Sequence, residues 1–173
     1  MKPTQDHPRR LLITAGPTHE PIDAVRYIGN RSSGRLGVNL ADEAARRGWA
    51  VTLLLGPSHL APTENAVELV RYRTASELGE LLKAHQPECD VLVMAAAVAD
   101  YRPCVPEGQL AGKLRREGAE MVIRLEPTED LLAGCSARRE PGQVFVGFAL
   151  EPRERMLSSA REKLERKGID LIV

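Results

Sequence analysis

Three stretches carry residue types and spacings that could do chemistry on an anionic substrate. The first is Tyr27-Ile28-Gly29-Asn30-Arg31-Ser32-Ser33-Gly34-Arg35-Leu36-Gly37. Glycines let the backbone approach a phosphate, and a helix beginning here presents free N–H groups and a partial positive charge to it. Ser32 and Ser33 can cap that helix or donate hydroxyls to the same anion. The second stretch, Lys113-Leu114-Arg115-Arg116, is a local basic cluster that can meet a phosphate or stand as solvated surface. The third is Lys163 with Lys167, four apart and so on one helix face, where surface placement is the plain alternative. Gly29-x4-Gly34-x2-Gly37 matches neither the dinucleotide GxGxxG fingerprint nor a Walker loop, and close helix–strand packing is the lesser alternative for such glycines.

The elements around these residues alternate. Leu11 to Ala15 is an apolar run within a strand at 10–15, and a helix at 33–47 places Leu40, Ala41, Ala44 and Ala45 on one face before Gly48 stops it. About eighteen residues separate the two, where a βα loop takes about two to six. A strand at 50–55, closed by Gly56-Pro57, precedes a short strand at 67–72. A helix starting at Thr74 or Ser76 runs to Pro87, and Asp90 to Ala97 is a continuous apolar strand as in buried parallel sheets. Its small residues Ala95-Ala96-Ala97 end where open α/β sheets bind ligands; tight helix packing is the alternative reading. Two extended segments flanking Glu117-Gly118, the second at 121–125, read as a hairpin arm spanning about 101–127. Thr128 caps a helix with Glu129 and Asp130 in its first turn; a strand at 143–149, a helix at 152–167 and a strand at 169–173 follow. The fold class is α/β, a Rossmann-like doubly wound parallel sheet with a protruding hairpin arm. Residues 1–9 form a polar lead and 10–173 one nucleotide-binding domain.

With 24 basic and 24 acidic residues the net charge is zero, which excludes a general nucleic-acid binder. Cys89, Cys104 and Cys135 form no CxxC pair and the four histidines no HxxxH pair, so unpaired thiols in a reducing cytoplasm are expected and metal ligands stay unassigned. No apolar run reaches membrane-spanning length, so no membrane association is expected. An NAD(P)-dependent oxidoreductase is one alternative, against which stand the missing acid after the strand at 50–55 and the lack of a Tyr-Lys pair four apart. A non-catalytic nucleotide sensor is another.

Ile13-Thr14-Ala15-Gly16-Pro17-Thr18-His19-Glu20-Pro21-Ile22-Asp23-Ala24-Val25-Arg26-Tyr27-Ile28, followed by Asn30-x-Ser32-Ser33-Gly34-x-x-Gly37, closely resembles phosphopantothenoylcysteine synthetase. So do Ala96 to Arg102, Lys113-x-Arg115-Arg116, Val146-Gly147-Phe148-Ala149-x-Glu151 and Lys163-x3-Lys167, covering about residues 10–173 in the family's order. The resemblance implies a ligase of coenzyme A synthesis that joins 4'-phosphopantothenate to L-cysteine through an acyl-cytidylate, with CTP as co-substrate and Mg²⁺ assisting. It implies that Asn30 contacts the intermediate, its amide donating to the oxyanion and accepting from the amine, while Lys113 supports the nucleotide phosphates. Met94, Ala95, Ala96, Asp100 and Phe148 would shape the nucleotide site, with Glu129, Asp130, Leu131 and Leu132 offering a helix N-terminus and Lys163 and Lys167 a basic wall. Arg26, Asn30, Ser32, Ser33 and Gly34 would meet the acid substrate. A cytoplasmic homodimer joined through the arm is implied, as are association with a phosphopantothenoylcysteine decarboxylase and further sheet strands beyond Val173. Gly29, Leu36 and the Arg115-Arg116 pair depart mildly from the family's usual serine, methionine and lysines.

Overall fold

The computed structural model describes residues 7–106, 108–115, 118, 120–149 and 156–173. Six parallel strands form the central sheet: β1 (Arg10–Ala15), β4 (Ala50–Leu55), β5 (Val67–Arg71), β6 (Val91–Met94), β9 (Val144–Gly147) and β10 (Leu171–Ile172). Their order is β10-β9-β6-β1-β4-β5. The chain therefore winds outward from β1 in one direction, returns, and winds outward in the other from β6. That order places a topological switch point between β1 and β6, whose register pairs Leu11 with Val91 and Thr14 with Met94.

Side chains along β1 alternate between two cores, as the strand's period of two requires. Leu12 packs with Leu54, Leu92 and Phe145 beneath α2 (Ala75–His85), α3 (Leu131–Ala137) and α4 (Met156–Lys167). Leu11, Ile13 and Ala15 face the other way with Leu53, Leu55 and Val93, beneath Val38, Ala41 and Ala44 of α1 (Arg35–Arg46). Apolar residues on both faces are what a parallel sheet covered on both sides demands. Each fully buried Leu or Phe contributes about 1.5–3 kcal/mol relative to exposure. The three cysteines are unpaired thiols, Cys89 and Cys135 buried and their pKa values raised by burial to about 11.

Several expectations change in detail. The strand predicted at 90–97 ends at Met94, because Ala95 onward turns to join the loop after β1: Ala97 N donates to Gly16 O at 2.8 Å. The long loop is not featureless. It holds an antiparallel ribbon, β2 (His19–Pro21) with β3 (Tyr27–Gly29). Gly34, in the left-handed region at φ 76°, holds the N-cap position of α1, and the Ser33 hydroxyl accepts from the first helical N–H, that of Arg35, at 3.3 Å. Thr74 is the cap of α2, accepting from Glu77 N, but Thr128 is not the cap of α3. Asp130 takes that place through Ala133 N, while Thr128 donates its hydroxyl to Ala99 O at 2.6 Å. The arm expected at about 101–127 has its paired stem at the two ends of that range, at β7 (Tyr101–Pro103) against β8 (Leu125–Pro127). Pro103 sits at the end of its strand, where a missing N–H costs little. Arg116, Glu117, Glu151, the N-terminal residues 1–6 and the start of the helix predicted at 152 lie outside the described residues.

Candidate functional site

At the carboxyl ends of β1 and β6 the segments that follow the two strands are hydrogen-bonded to each other. Thr14 Oγ1 accepts from Ala96 N at 3.2 Å, and Thr18 Oγ1 accepts from Ala99 N at 3.0 Å. Asn30 closes the join: its Nδ2 donates to Ala97 O at 3.2 Å and to Val98 O at 3.0 Å. Both amide protons of Asn30 are thus engaged by backbone, leaving Oδ1 as its remaining acceptor. The structure brings together Asn30, Ala95, Ala96 and Asp100 at this edge. Met94 is there through its backbone alone, its sulfur accepting from the Thr14 hydroxyl inside the core.

Glycines hold the first of these segments close to the sheet. A Cβ on Gly37 would lie 2.4 Å from Ala15 Cβ, so tight packing of α1 on β1 accounts for that glycine. Gly34 reaches within 3.2 Å of Gly16 N by the same test and starts the helix. Ser32 and Ser33 lie beside it, each hydroxyl accepting a nearby N–H, from Gly34 at 3.4 Å and Arg35 at 3.3 Å. They line an open cavity of about 520 Å³ with Arg35, Ser58, His59 and the stacked pair His19–Tyr27, ring centroids 3.6 Å apart. Burial, with Arg73 nearby, lowers the His19 pKa, so that ring is neutral at pH 7.

A second cleft of about 630 Å³ is lined by Arg26, Lys113, Leu114 and Arg115. Arg26 and Lys113, far apart in sequence, are therefore neighbours. Beneath them lies Asp23, 2% exposed, whose carboxylate takes both the Nε and an Nη2 hydrogen of Arg26. The hydrogen bond from Arg26 is the main reason its pKa falls well below the usual carboxylate range, and it outweighs the opposing effect of burial.

On the β9 side, Lys167 pairs with Asp130 at 3.2 Å, tying the end of α4 to the start of α3, with half-buried Lys163 one turn before it. Glu129 is exposed, and Phe148 is half-buried against the core just past β9. Leu131 and Leu132 are core side chains, so only their backbone can face a ligand. A third cavity, of about 430 Å³, lies at the amino ends of β1 and β4, away from the switch point.

The sequence reading did not single out Thr14, Thr18, Glu20 and Asp23, all buried. Glu20 Oε1 accepts Ala75 N at 2.8 Å, joining the loop to the start of α2. A local signal existed for Asp23 only: an aspartate whose oxygen accepts the N–H groups two and three residues on is a common turn former. Among the described residues no cluster of three metal-ligating side chains occurs.

A doubly wound α/β domain with its two post-strand segments joined at the switch point is the class that this fold and site define. The chain belongs to the family described as the DNA/pantothenate metabolism flavoprotein C-terminal domain, whose model matches residues 7–173. It is 46% identical over 165 residues to a cysteine/cysteine sulfinic acid decarboxylase of an unknown prokaryotic organism, covering 95% of this chain and 45% of that protein. To the coenzyme A biosynthesis bifunctional protein CoaBC of Mycobacterium tuberculosis it is 45% identical over 175 residues, covering 95% of this chain and 41% of that protein. The chain thus spans less than half the length of these relatives. The crystal structure of the C-terminal domain of a CoaBC protein superposes with a TM-score of 0.81 at 36% identity, covering 96% of this chain and 76% of that one. A Cab2 variant in complex with phosphopantothenate-cysteine, 20% identical, has the same fold at a TM-score of 0.81, covering 95% of this chain and 71% of that one.

Proposed function

We propose that this chain carries the ligase activity that joins 4'-phosphopantothenate to L-cysteine, using CTP. The observation that carries the reading is the join of Asn30 to the carbonyls of Ala97 and Val98. It sets a polar side chain beside the small residues Ala95 and Ala96, at the edge where such sheets bind nucleotides. The coenzyme A role named for the CoaBC relatives and the phosphopantothenate-cysteine held by the Cab2 variant support the choice of substrates.

In the first half-reaction a carboxylate oxygen of phosphopantothenate attacks the α-phosphorus of CTP, and the bond to the bridging oxygen breaks to release pyrophosphate. Bringing three anionic groups together requires nearby positive charge, which Lys113 and Arg26 supply from their shared cleft and Lys163 and Lys167 from the β9 side. Ser32, Ser33 and the start of α1 at Gly34 face the acid substrate with hydroxyls and N–H groups. Phe148, Met94, Asp100 and the Glu129–Leu132 turn border the nucleotide. An exposed carboxylate such as Asp100 would help hold a magnesium ion, which would supply charge neutralisation at the leaving group. In the second half-reaction the amine of cysteine attacks the acyl carbon, the C–O bond to CMP breaks, and the amine loses a proton. Asn30 Oδ1 is placed to accept from that amine while its Nδ2 holds the join.

The protein acts as a cytoplasmic homodimer, its arm covering apolar side chains such as Val122, 85% exposed, Met121 and Leu125. A phosphopantothenoylcysteine decarboxylase consumes the product, in keeping with the bifunctional relatives. Among the described residues no helix is long and apolar enough to cross a membrane. Pyrophosphate release measured with each of the four nucleoside triphosphates, phosphopantothenate and cysteine tests the reading. Release with CTP that depends on phosphopantothenate supports it; no release with any triphosphate overturns it.

A further inference from the structure

Lys113 lies outside helix and sheet, yet its neighbour is held from both sides. Leu114 N donates to Asp23 Oδ2 at 3.0 Å, and Leu114 O accepts from Arg26 Nη2 at 3.2 Å. One residue before the lysine, Gly112 O accepts from Ala24 N at 3.2 Å. Every one of these ties ends on the three residues Asp23, Ala24 and Arg26 of the loop that also carries Asn30. Asp23 is the hub. Its Oδ1 accepts from Val25 N at 2.8 Å and Arg26 N at 2.7 Å, and its Oδ2 accepts from Leu114 N, from Arg26 Nε at 2.9 Å and from Arg26 Nη2.

We propose that Asp23 is a positioning residue, a buried carboxylate that sets the lysine-bearing segment 112–114 against the acid-substrate loop and so aims Lys113 at the reacting phosphates. The inference rests on the role assigned above to Lys113. Five donors converge on the two oxygens from two chain segments ninety residues apart, which only an ionised carboxylate can satisfy. An amide in its place turns one N–H group toward donors on whichever side it faces. A turn needing only local order would use the Val25 and Arg26 amides and stop there. The two bonds to Leu114, one to Asp23 and one from Arg26, reach beyond the turn, and what they fix is the backbone beside Lys113.

The test is a double-mutant cycle on pyrophosphate release with CTP and phosphopantothenate, using the whole protein. Asp23→Asn is expected to lower kcat at least tenfold, as Lys113→Gln does. Adding Asp23→Asn to Lys113→Gln is expected to cost less than a further twofold, because a mis-aimed lysine and an absent one are equivalent. Effects that multiply, or an Asp23→Asn enzyme at the wild-type rate, overturn the inference while leaving the role of Lys113 intact. If Lys113→Gln itself releases pyrophosphate at the wild-type rate, the role of the lysine fails and the inference with it. Should Asp23→Asn not fold, Leu114→Pro deletes the single N–H that joins the segment to Asp23 and spares the Asp23–Arg26 pair. A folded Leu114→Pro enzyme slowed at least tenfold supports the positioning role, and one at the wild-type rate overturns it.

Discussion

Asn30 donates its side-chain amide to the main-chain carbonyl of Val98 at 3.0 Å, across sixty-eight residues of sequence. The amide therefore serves as a strut between the loop after β1 and the small-residue segment after β6, with only its oxygen left for a ligand. The donor side of this amide is engaged by the carbonyls of Ala97 and Val98.

Asn30→Asp separates the strut from chemistry at the carbonyl. The substitution keeps an acceptor of the same size but opposes a carboxylate oxygen to two carbonyl oxygens. The join is expected to move, and both pyrophosphate release and amide formation fall at least tenfold together. Quenched-flow mass spectrometry checks this: acyl-cytidylate accumulating in the presence of cysteine would show that the amide acts on the acyl carbonyl instead.

Lys113→Gln removes a cation from the cleft shared with Arg26. A charge-assisted contact to phosphate is worth about 1.5–3 kcal/mol, so pyrophosphate release should fall at least tenfold. The melting temperature should stay at the wild-type value, since the side chain is exposed. A wild-type rate would place the lysine on solvated surface.

Gly37→Ala tests close packing rather than phosphate approach as the reason for the third glycine. The new methyl would meet Ala15 Cβ at 2.4 Å, and the backbone of both elements resists the shift. Overpacking of this kind costs about 1–3 kcal/mol. Urea denaturation should show the loss; unchanged stability with slowed catalysis would favour a ligand-facing role.

Asp42 carries an acid-sensitive share of the stability. Its buried carboxylate accepts from Thr63 N at 2.9 Å, Thr63 Oγ1 at 2.9 Å and Glu64 N at 3.0 Å. Burial raises its pKa, but these bonds and Arg46 outweigh it, so the folded value lies below the ordinary one. A depressed folded pKa means the contribution is complete above the unfolded value, about 3.9, and is lost as pH falls through the folded one. Asp42→Ala, which removes the charged acceptor of these three hydrogen bonds, should cost about 1–3 kcal/mol at pH 7. Thermal melts of both proteins should show the gap narrowing below about pH 4; a gap constant to pH 2 would refute the assignment.

The alternation of strand and helix and the two-faced core were legible in the residues. They were so because apolar period and helix stop signals act over a few positions. The strand at 10–15 is read from Leu11 to Ala15 alone, and it is the observed β1. Caps were less legible: Thr128 and Asp130 both fit a helix start, and only the pull of Ala99 O on the threonine hydroxyl decides between them. Partnership across the chain was not legible at all. Whether Ala95 continues a strand, which loop Asn30 braces, that Arg26 shares a cleft with Lys113, and that Asp23 bears the load beneath them depend on contacts between segments seventy to ninety residues apart. A hydrogen bond at such separation leaves no periodic trace in the sequence, because its two ends meet only after the sheet has set the distance between β1 and β6.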